Sequence, residues 1–458
     1  MNRGTSLTAY HVAMSRELLL DACQRALKYV ETVNSRQVCA DSSGLARLRI
    51  SLPDHGMDPQ AVIALLDEAA SPATVASTGG RYFGFVTGGS LPASMAAQWL
   101  AAAWDQNSAQ VTMSPAAATL DEVALEWCAE LLGLPASGGG IVTGATMANF
   151  TALAAARRAV LQRVGWDAES SGLFGAPPIT VVVGEEVHAS LVKALGLLGL
   201  GRDRVVRVPS DAQGRMTHPP RVDGPAILCI QAGNVNTGAF DPARELCAWA
   251  KEMGAWVHVD GAFGLWAAAC PETAWLVDGY ELADSWSTDA HKWPNIPYDC
   301  GIVLVRDAAH LEGAMSLDAA YIPTTSEREP RHFVPEMSRR ARGVELWAGL
   351  LSLGKIGMAD LVSRTCRYAR MFAEGLREFE VLNEVVLNQV LVSFGGDDRT
   401  QRVIRDLQQE GVCWCGGTRW KGRAAMRISV SSWATTEEDV RLSVEAIRRL
   451  ARKPTSAA

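Results

Sequence analysis

The chain has 458 residues, 48% of them hydrophobic and 20% charged, with a net charge of −7. That length exceeds what one hydrophobic core organises, so one large and one smaller domain are expected, and the apolar content excludes a disordered chain. The acidic balance, with both signs mixed along the chain, argues against nucleic acid or an anionic membrane as a general partner, and leaves room for a local basic pocket that takes a phosphate.

The ten cysteines are scattered, and the one close pair, Cys413 and Cys415, has no second pair to complete a zinc site. Reduced thiols and no metal are expected. Residues 1–20 show no apolar core flanked by basic residues and a cleavage site, and no segment reads as long and apolar enough to cross a bilayer. A soluble cytoplasmic protein is the expectation.

Taken in chain order, residues 10–75 carry helical periodicity, in Leu18-Leu19-Leu20 through Leu27 and Val30 and again around Ile63, Leu65 and Leu66, with Pro53 and Gly56 between the two stretches. Arg81-Tyr82-Phe83-Gly84-Phe85-Val86 follows, then a Gly88-Gly89-Ser90 turn and a helix start at Pro92. From residue 120 helices alternate with apolar strands: Gly140-Ile141-Val142, then 179–183, 205–208, 226–230, 256–259 and 301–305. Continuous apolar strands between helices imply a mostly parallel sheet covered on both faces, with sites at the strand C-terminal ends. Prolines 323, 330 and 335 with several charges predict an exposed loop over 323–338. A helix over 342–373 leads to a last part of mixed strand and helix signals. Its clearest strand is 425–430, and the closing helix opens at Thr435-Thr436-Glu437-Glu438.

Chemistry gathers at the strand ends. Lys292 closes the run Ser287-Thr288-Asp289-Ala290-His291-Lys292, and Asp260 closes His258-Val259-Asp260. An amine that forms a Schiff base with an aldehyde, next to a carboxylate that keeps a pyridine nitrogen protonated, is what pyridoxal phosphate chemistry needs. Thr143-Gly144-Ala145-Thr146, between a strand and a helix, suits a phosphate at a helix N-terminus. His188, just past another strand, suits a group that stacks on a flat ring, holds a carboxylate or moves a proton. Taken singly, each has a blander explanation: a tight turn with a threonine cap, a helix-capping histidine, a turn aspartate, a solvated lysine. The loop from Gly233 through Asn234 to Asp241 is equally well an Asn/Gly turn before a helix. The argument rests on the set in its order.

That set resembles the group II pyridoxal-phosphate-dependent amino acid decarboxylases, with the aromatic-L-amino-acid decarboxylases among them. The resemblance runs over nearly the whole chain, from Arg81–Phe85 and Ser114-Pro115-Ala116 through the segments above to Ser338-Arg339-Arg340, Leu346-Trp347 and Met426-Arg427-Ile428. It implies an α/β, fold type I enzyme with a mostly parallel seven-stranded sheet in a large cofactor-binding domain (96–365). An N-terminal helical segment (1–95) and a small C-terminal α+β domain (366–458) would flank it. It also implies a homodimer whose sites lie at the subunit interface, each using the partner's loop around 323–338. By resemblance Lys292 holds the pyridoxal 5'-phosphate, Asp260 pairs with the ring nitrogen, Ala262 packs under the ring and His188 stacks above it. Ala145 and Thr146 bind the phosphate beside His291, Asn234 sits near the ring hydroxyl, and Phe85 and Val86 line the substrate pocket.

Three positions depart from the family pattern. Pro330 stands where the decarboxylases carry a proton-donating tyrosine, and Tyr321 aligns with a different family tyrosine. Asn234 replaces a frequent threonine. Asp289 replaces the asparagine of the aromatic decarboxylases and brings a negative charge to the phosphate end. The expected activity is decarboxylation of an L-amino acid to an amine and CO2. An aromatic substrate is compatible with Phe85, although the tryptophans are more often core residues. The alternatives are decarboxylation with oxidative deamination to an aldehyde, another lyase or transferase reaction on the same scaffold, and a catalytically silent regulatory relative. The intact set of Lys292, Asp260 and His188 argues against the last.

Overall fold

Runs such as Val181-Val182-Val183 and Ala226–Gln231 leave neither face suited to water, and the computed structural model, which describes residues 7–317 and 327–453, buries both faces. Among the described residues twelve strands form two sheets. They are β1 (Tyr82–Phe83), β2 (Gly138–Val142), β3 (Thr180–Gly184), β4 (Val205–Val208), β5 (Ala226–Gln231), β6 (Trp256–Asp260), β7 (Ser285–Asp289), β8 (Gly301–Val305), β9 (Glu380–Val381), β10 (Gln389–Ser393), β11 (Trp414–Trp420) and β12 (Arg423–Ser429). The large sheet has seven strands in the order β2-β8-β7-β6-β5-β3-β4.

Pairings from β4 through β3, β5 and β6 to β7 are parallel, while β8 runs antiparallel to both β7 and β2. Strand β2 therefore points the same way as β7, and β2, β3, β5, β6 and β7 all end on one edge of the sheet. That edge is where a parallel sheet places its ligands. The helix Ala145–Gln162 starts there and lies on the sheet, with Ala148, Ala152, Ala155 and Ala156 fully buried. Its small side chains let helix and strands approach closely.

The second sheet, β1-β11-β12-β10-β9, belongs to the C-terminal part except for β1, which pairs in parallel with β11 through Tyr82↔Trp414 and Phe83↔Cys415. The N-terminal segment thus contributes a strand to the C-terminal sheet. The closing helix, Glu437–Arg452, is capped by Thr436 in a reciprocal box with Asp439. Four tryptophans, Trp256, Trp266, Trp286 and Trp293, are among the largest fully buried side chains, so most of the tryptophan signal in this part of the chain is core. All ten cysteines are free.

Two expectations need correction. Helix Gly343–Gly375 has 33 residues and an 18-residue window of mean hydropathy 1.2, so one segment does have the length and apolarity to cross a bilayer. It packs as a core helix: Leu346, Leu350, Leu361 and Val362 are buried in the main core, and it breaks at Gly354, where φ is 58°. The predicted exposed loop is also only partly one. Residues 318–326, Tyr321 and Pro323 included, lie outside the described residues, but Pro330–Phe333 is a buried 3-10 turn. The Arg331 amide donates to the Ala109 carbonyl, Val111 N donates to Glu329, and Arg328 lies over the Phe333 ring at 4.3 Å. Proline and charge marked a loop there, but packing against helix Ala308–Met315 and the 109–111 segment holds it down.

Candidate active site

The turn after β2 puts Gly144 at φ 155°, a conformation that glycine adopts without strain. From it the helix Ala145–Gln162 rises with no cap from its own N-cap side chain. The missing acceptor comes from the end of β7. Asp289 Oδ1 accepts the Ala145 N–H at 2.6 Å, and its Oδ2 lies 3.1 Å from Lys292 Nζ. His291 Nε2 is 3.6 Å from the same carboxylate. The strand end, the helix N-terminus and the lysine thus meet at one carboxylate. Thr146, next along the helix, is half-buried.

Asp260 ends β6 one strand over, in register with Ser287. Burial raises its carboxyl above the ordinary carboxylate range, while His188 and Lys292 pull it down. Among the described residues, the side-chain donor to it is Asn149 Nδ2, at 3.4 Å. His188 caps the helix Ala189–Leu197: its Nδ1 accepts the Ser190 N–H at 3.2 Å. It is therefore the capping histidine of the blander explanation, and it also faces the cluster. Burial holds its imidazole below the usual value, and the charges of Asp260, Lys292, Arg427 and Asp289 all act on it. Burial likewise lowers His291, against the pull of Asp289.

The other predicted residues are placed as follows. Ala262 is half-buried beside Asp260, and its carbonyl accepts the Asp289 N–H at 2.9 Å. Asn234 is buried with both ends of its amide engaged nearby: Oδ1 accepts from Asn236 N and Thr237 N, and Nδ2 donates to Gln231. Phe85 and Val86 adopt left-handed backbone, φ 54° and 56°, a strained state that recurs at ligand sites. Val86 is buried and Phe85 is 63% exposed. Their segment runs against the lysine: a β-carbon at Gly88 would fall 1.9 Å from the Lys292 carbonyl oxygen.

Several residues here carried no role in the sequence. Asn149 is one turn along the helix from Ala145, a lone amide in an alanine-rich run, and that contrast was its available signal. Tyr298 lies against His291 at a tilt of 30°, with ring centroids 4.4 Å apart. Trp414 takes Tyr82 at 5.1 Å and Phe85 at 5.3 Å. These depend on chain crossings that no local pattern reveals.

The donor set fits pyridoxal phosphate at three points. A partly buried lysine amine suits the aldehyde, a buried carboxylate with one long hydrogen bond suits a cationic ring nitrogen, and a helix N-terminus suits the phosphate. The Asp289 carboxylate at that N-terminus is an added anion. Among the described residues, no group of three His, Cys, Asp or Glu is arranged to hold a metal ion.

Residues 48–395 match the pyridoxal-dependent decarboxylase conserved domain. The chain belongs to the pyridoxal-dependent decarboxylase family. This enzyme is a pyridoxal-phosphate-dependent carboxy-lyase of amino acids. Tryptophan decarboxylase 1 of Oryza sativa is 26% identical over 448 residues, spanning 88% of this chain and 86% of that protein. The aromatic-L-amino-acid decarboxylase of Drosophila lebanonensis is 30% identical over 366 residues, 72% of this chain and 88% of its own length. The crystal structure of Oryza sativa TDC with PLP and tryptamine superposes with a TM-score of 0.88, covering 98% of this chain and 99% of that one at 24% identity. That likeness establishes the fold, a type I decarboxylase architecture with a seven-stranded main sheet and a smaller C-terminal one.

Proposed function

We propose that this decarboxylase acts on an aromatic L-amino acid and releases the amine and CO2. The observation that carries the substrate class is the group of aromatic rings at the site: Trp414 stacks on Tyr82 and meets Phe85 at a tilt, and Tyr298 lies against His291, the neighbour of Lys292. Flat faces at this spacing suit a flat side chain. The names of the relatives, tryptophan and aromatic-L-amino-acid decarboxylases, support the same class.

In this proposal Lys292 would hold the cofactor covalently, and Asp260 would bind the ring nitrogen through a charge-assisted contact of about 1.5–3 kcal/mol. His188 and Ala262 would hold the ring, and Ala145 and Thr146, with His291, would hold the phosphate. When bound, the cofactor supplies an electron sink for the bond at the α-carbon. Asn149 keeps a donor on Asp260, and Phe85 and Val86 shape the substrate entrance. A screen of the common amino acids that follows CO2 and peroxide together tests the proposal. Turnover of aliphatic or acidic substrates alone would overturn the aromatic assignment.

One observation favours a second outcome. Pro330 has no proton to give and sits in a buried turn. Without a proton donor at this position, oxygen would take the electrons left by CO2 loss: per amino acid one O2 and one water would be consumed, and aldehyde, CO2, ammonia and hydrogen peroxide released. Peroxide formed in proportion to CO2 would establish that outcome.

We also propose a homodimer. The N-terminal helices carry Leu19, Leu20, Leu27, Val62 and Leu66 at 44–69% exposure, and Leu52 is 96% exposed. An apolar row of this kind is what a second copy covers. Light scattering that shows a fully active monomer would overturn it.

A further inference from the structure

We infer that Asp289 sets the affinity of this enzyme for its cofactor, by competing with the cofactor phosphate for the N-terminal N–H groups of helix Ala145–Gln162. The carboxylate already makes the contact a phosphate oxygen would make: Oδ1 accepts the Ala145 N–H at 2.6 Å. Its other oxygen pairs with Lys292 Nζ at 3.1 Å. It is held in place. The side chain is 3% exposed, the backbone N–H donates to the Ala262 carbonyl at 2.9 Å, and the residue sits in register opposite Gly301 on β8. A phosphate arriving at Ala145 and Thr146 therefore meets a fixed negative charge in a buried corner, where salt screens little. His291, 3.6 Å away, offsets that charge only when protonated, and burial lowers its tendency to be so. An amide of the same shape would remove the repulsion and offer a donor to the phosphate.

The inference rests on the proposed placement of the phosphate at Ala145 and Thr146, and the test separates the two. Cofactor-stripped wild type and Asp289→Asn are titrated with pyridoxal 5'-phosphate and, separately, with pyridoxal, which lacks the phosphate. The readouts are the visible absorbance band and quenching of tryptophan fluorescence. Asp289→Asn should tighten pyridoxal 5'-phosphate at least tenfold and tighten pyridoxal much less. Inorganic phosphate should compete with the cofactor more strongly in the variant than in wild type. Equal tightening of both ligands would mean that Asp289 acts through Lys292 alone, and unchanged or weaker cofactor binding would make it a structural cap. Either result overturns the inference and leaves the phosphate placement standing. If wild type and Asp289→Asn both bind the two ligands equally and inorganic phosphate competes in neither protein, the phosphate placement itself is removed and the inference with it. Asp289→Ser, smaller and also uncharged, repeats the test if the asparagine variant does not fold.

Discussion

Asn149 reaches Asp260 from the facing helix, Nδ2 to Oδ2 at 3.4 Å, and its orientation is set from below. Its Oδ1 accepts from Ser287 Oγ at 2.5 Å and contacts His258 Nε2 at 2.8 Å, while His258 Nδ1 contacts Ser285 Oγ at 3.0 Å. Ser285 in turn accepts the Trp256 indole N–H at 2.9 Å. With a neutral His258 that donates from Nε2, the chain of contacts leaves the Asn149 amide protons facing Asp260.

Asp260→Asn keeps the shape of this arrangement and removes the charge. The variant should retain bound cofactor by absorbance and lose at least about 100-fold in decarboxylation, on the scale of removing one electrostatic stabiliser. Near-normal turnover would make Asp260 a structural residue.

Lys292→Ala should abolish the visible absorbance band and the adduct that borohydride fixes to the protein. Mass spectrometry of the reduced wild type should place the adduct on Lys292, and a fixed adduct persisting in the variant would show that another amine holds the cofactor.

Pro330→Tyr should raise the ratio of amine to aldehyde and lower oxygen uptake per CO2. Because Pro330 is buried, the larger ring should also cost about 1–3 kcal/mol of stability. Rapid amine formation by wild type without oxygen uptake, unchanged in the variant, would show that this position does not control the outcome.

Arg339 and Asp121 pair with side chains 2% and 1% exposed, and Arg339 Nη1 donates to the Ile141 carbonyl at 2.8 Å. Arg339→Ala leaves Asp121 buried and unpaired, so chemical denaturation should show a loss of about 3–5 kcal/mol. Replacing both partners with apolar residues, Arg339→Met with Asp121→Leu, should lose less. A single variant as stable as wild type would mean that water reaches Asp121.

His258 is fully buried, with its pKa pushed down to about 3 by burial. An unfolded histidine protonates near 6.5, so the folded chain binds fewer protons, and stability is lost as pH falls from 6.5 towards 3. His188 and His291, also lowered by burial, act in the same direction. Asp241, raised from 3.8 to about 6, acts oppositely: its contribution is present at low pH and is lost as pH rises through that window. Asp260, Asp284 and Glu345, also raised by burial, act with Asp241. Three histidines held below their unfolded value set the expected direction between pH 7 and 6. The urea midpoint should fall there, with His258 contributing at most about 1.4 kcal/mol per pH unit, and His258→Gln should flatten the slope.

The sequence by itself determined the strand-and-helix order, the helix Ala145–Gln162 with its glycine turn, and the placing of His188, Asp260 and Lys292 just past strand ends. Each of these is written in a few adjacent residues, as an apolar run, a turn glycine or a cap, so local periodicity suffices. Only the tertiary structure decided which groups meet. Asp289 caps a helix that begins 144 residues earlier, Tyr82 and Phe83 join a sheet whose other strands lie beyond residue 379, and Pro330 is buried where its composition spells a loop. Each outcome follows from strand order and packing between distant segments, energies to which neighbouring residues contribute no readable pattern.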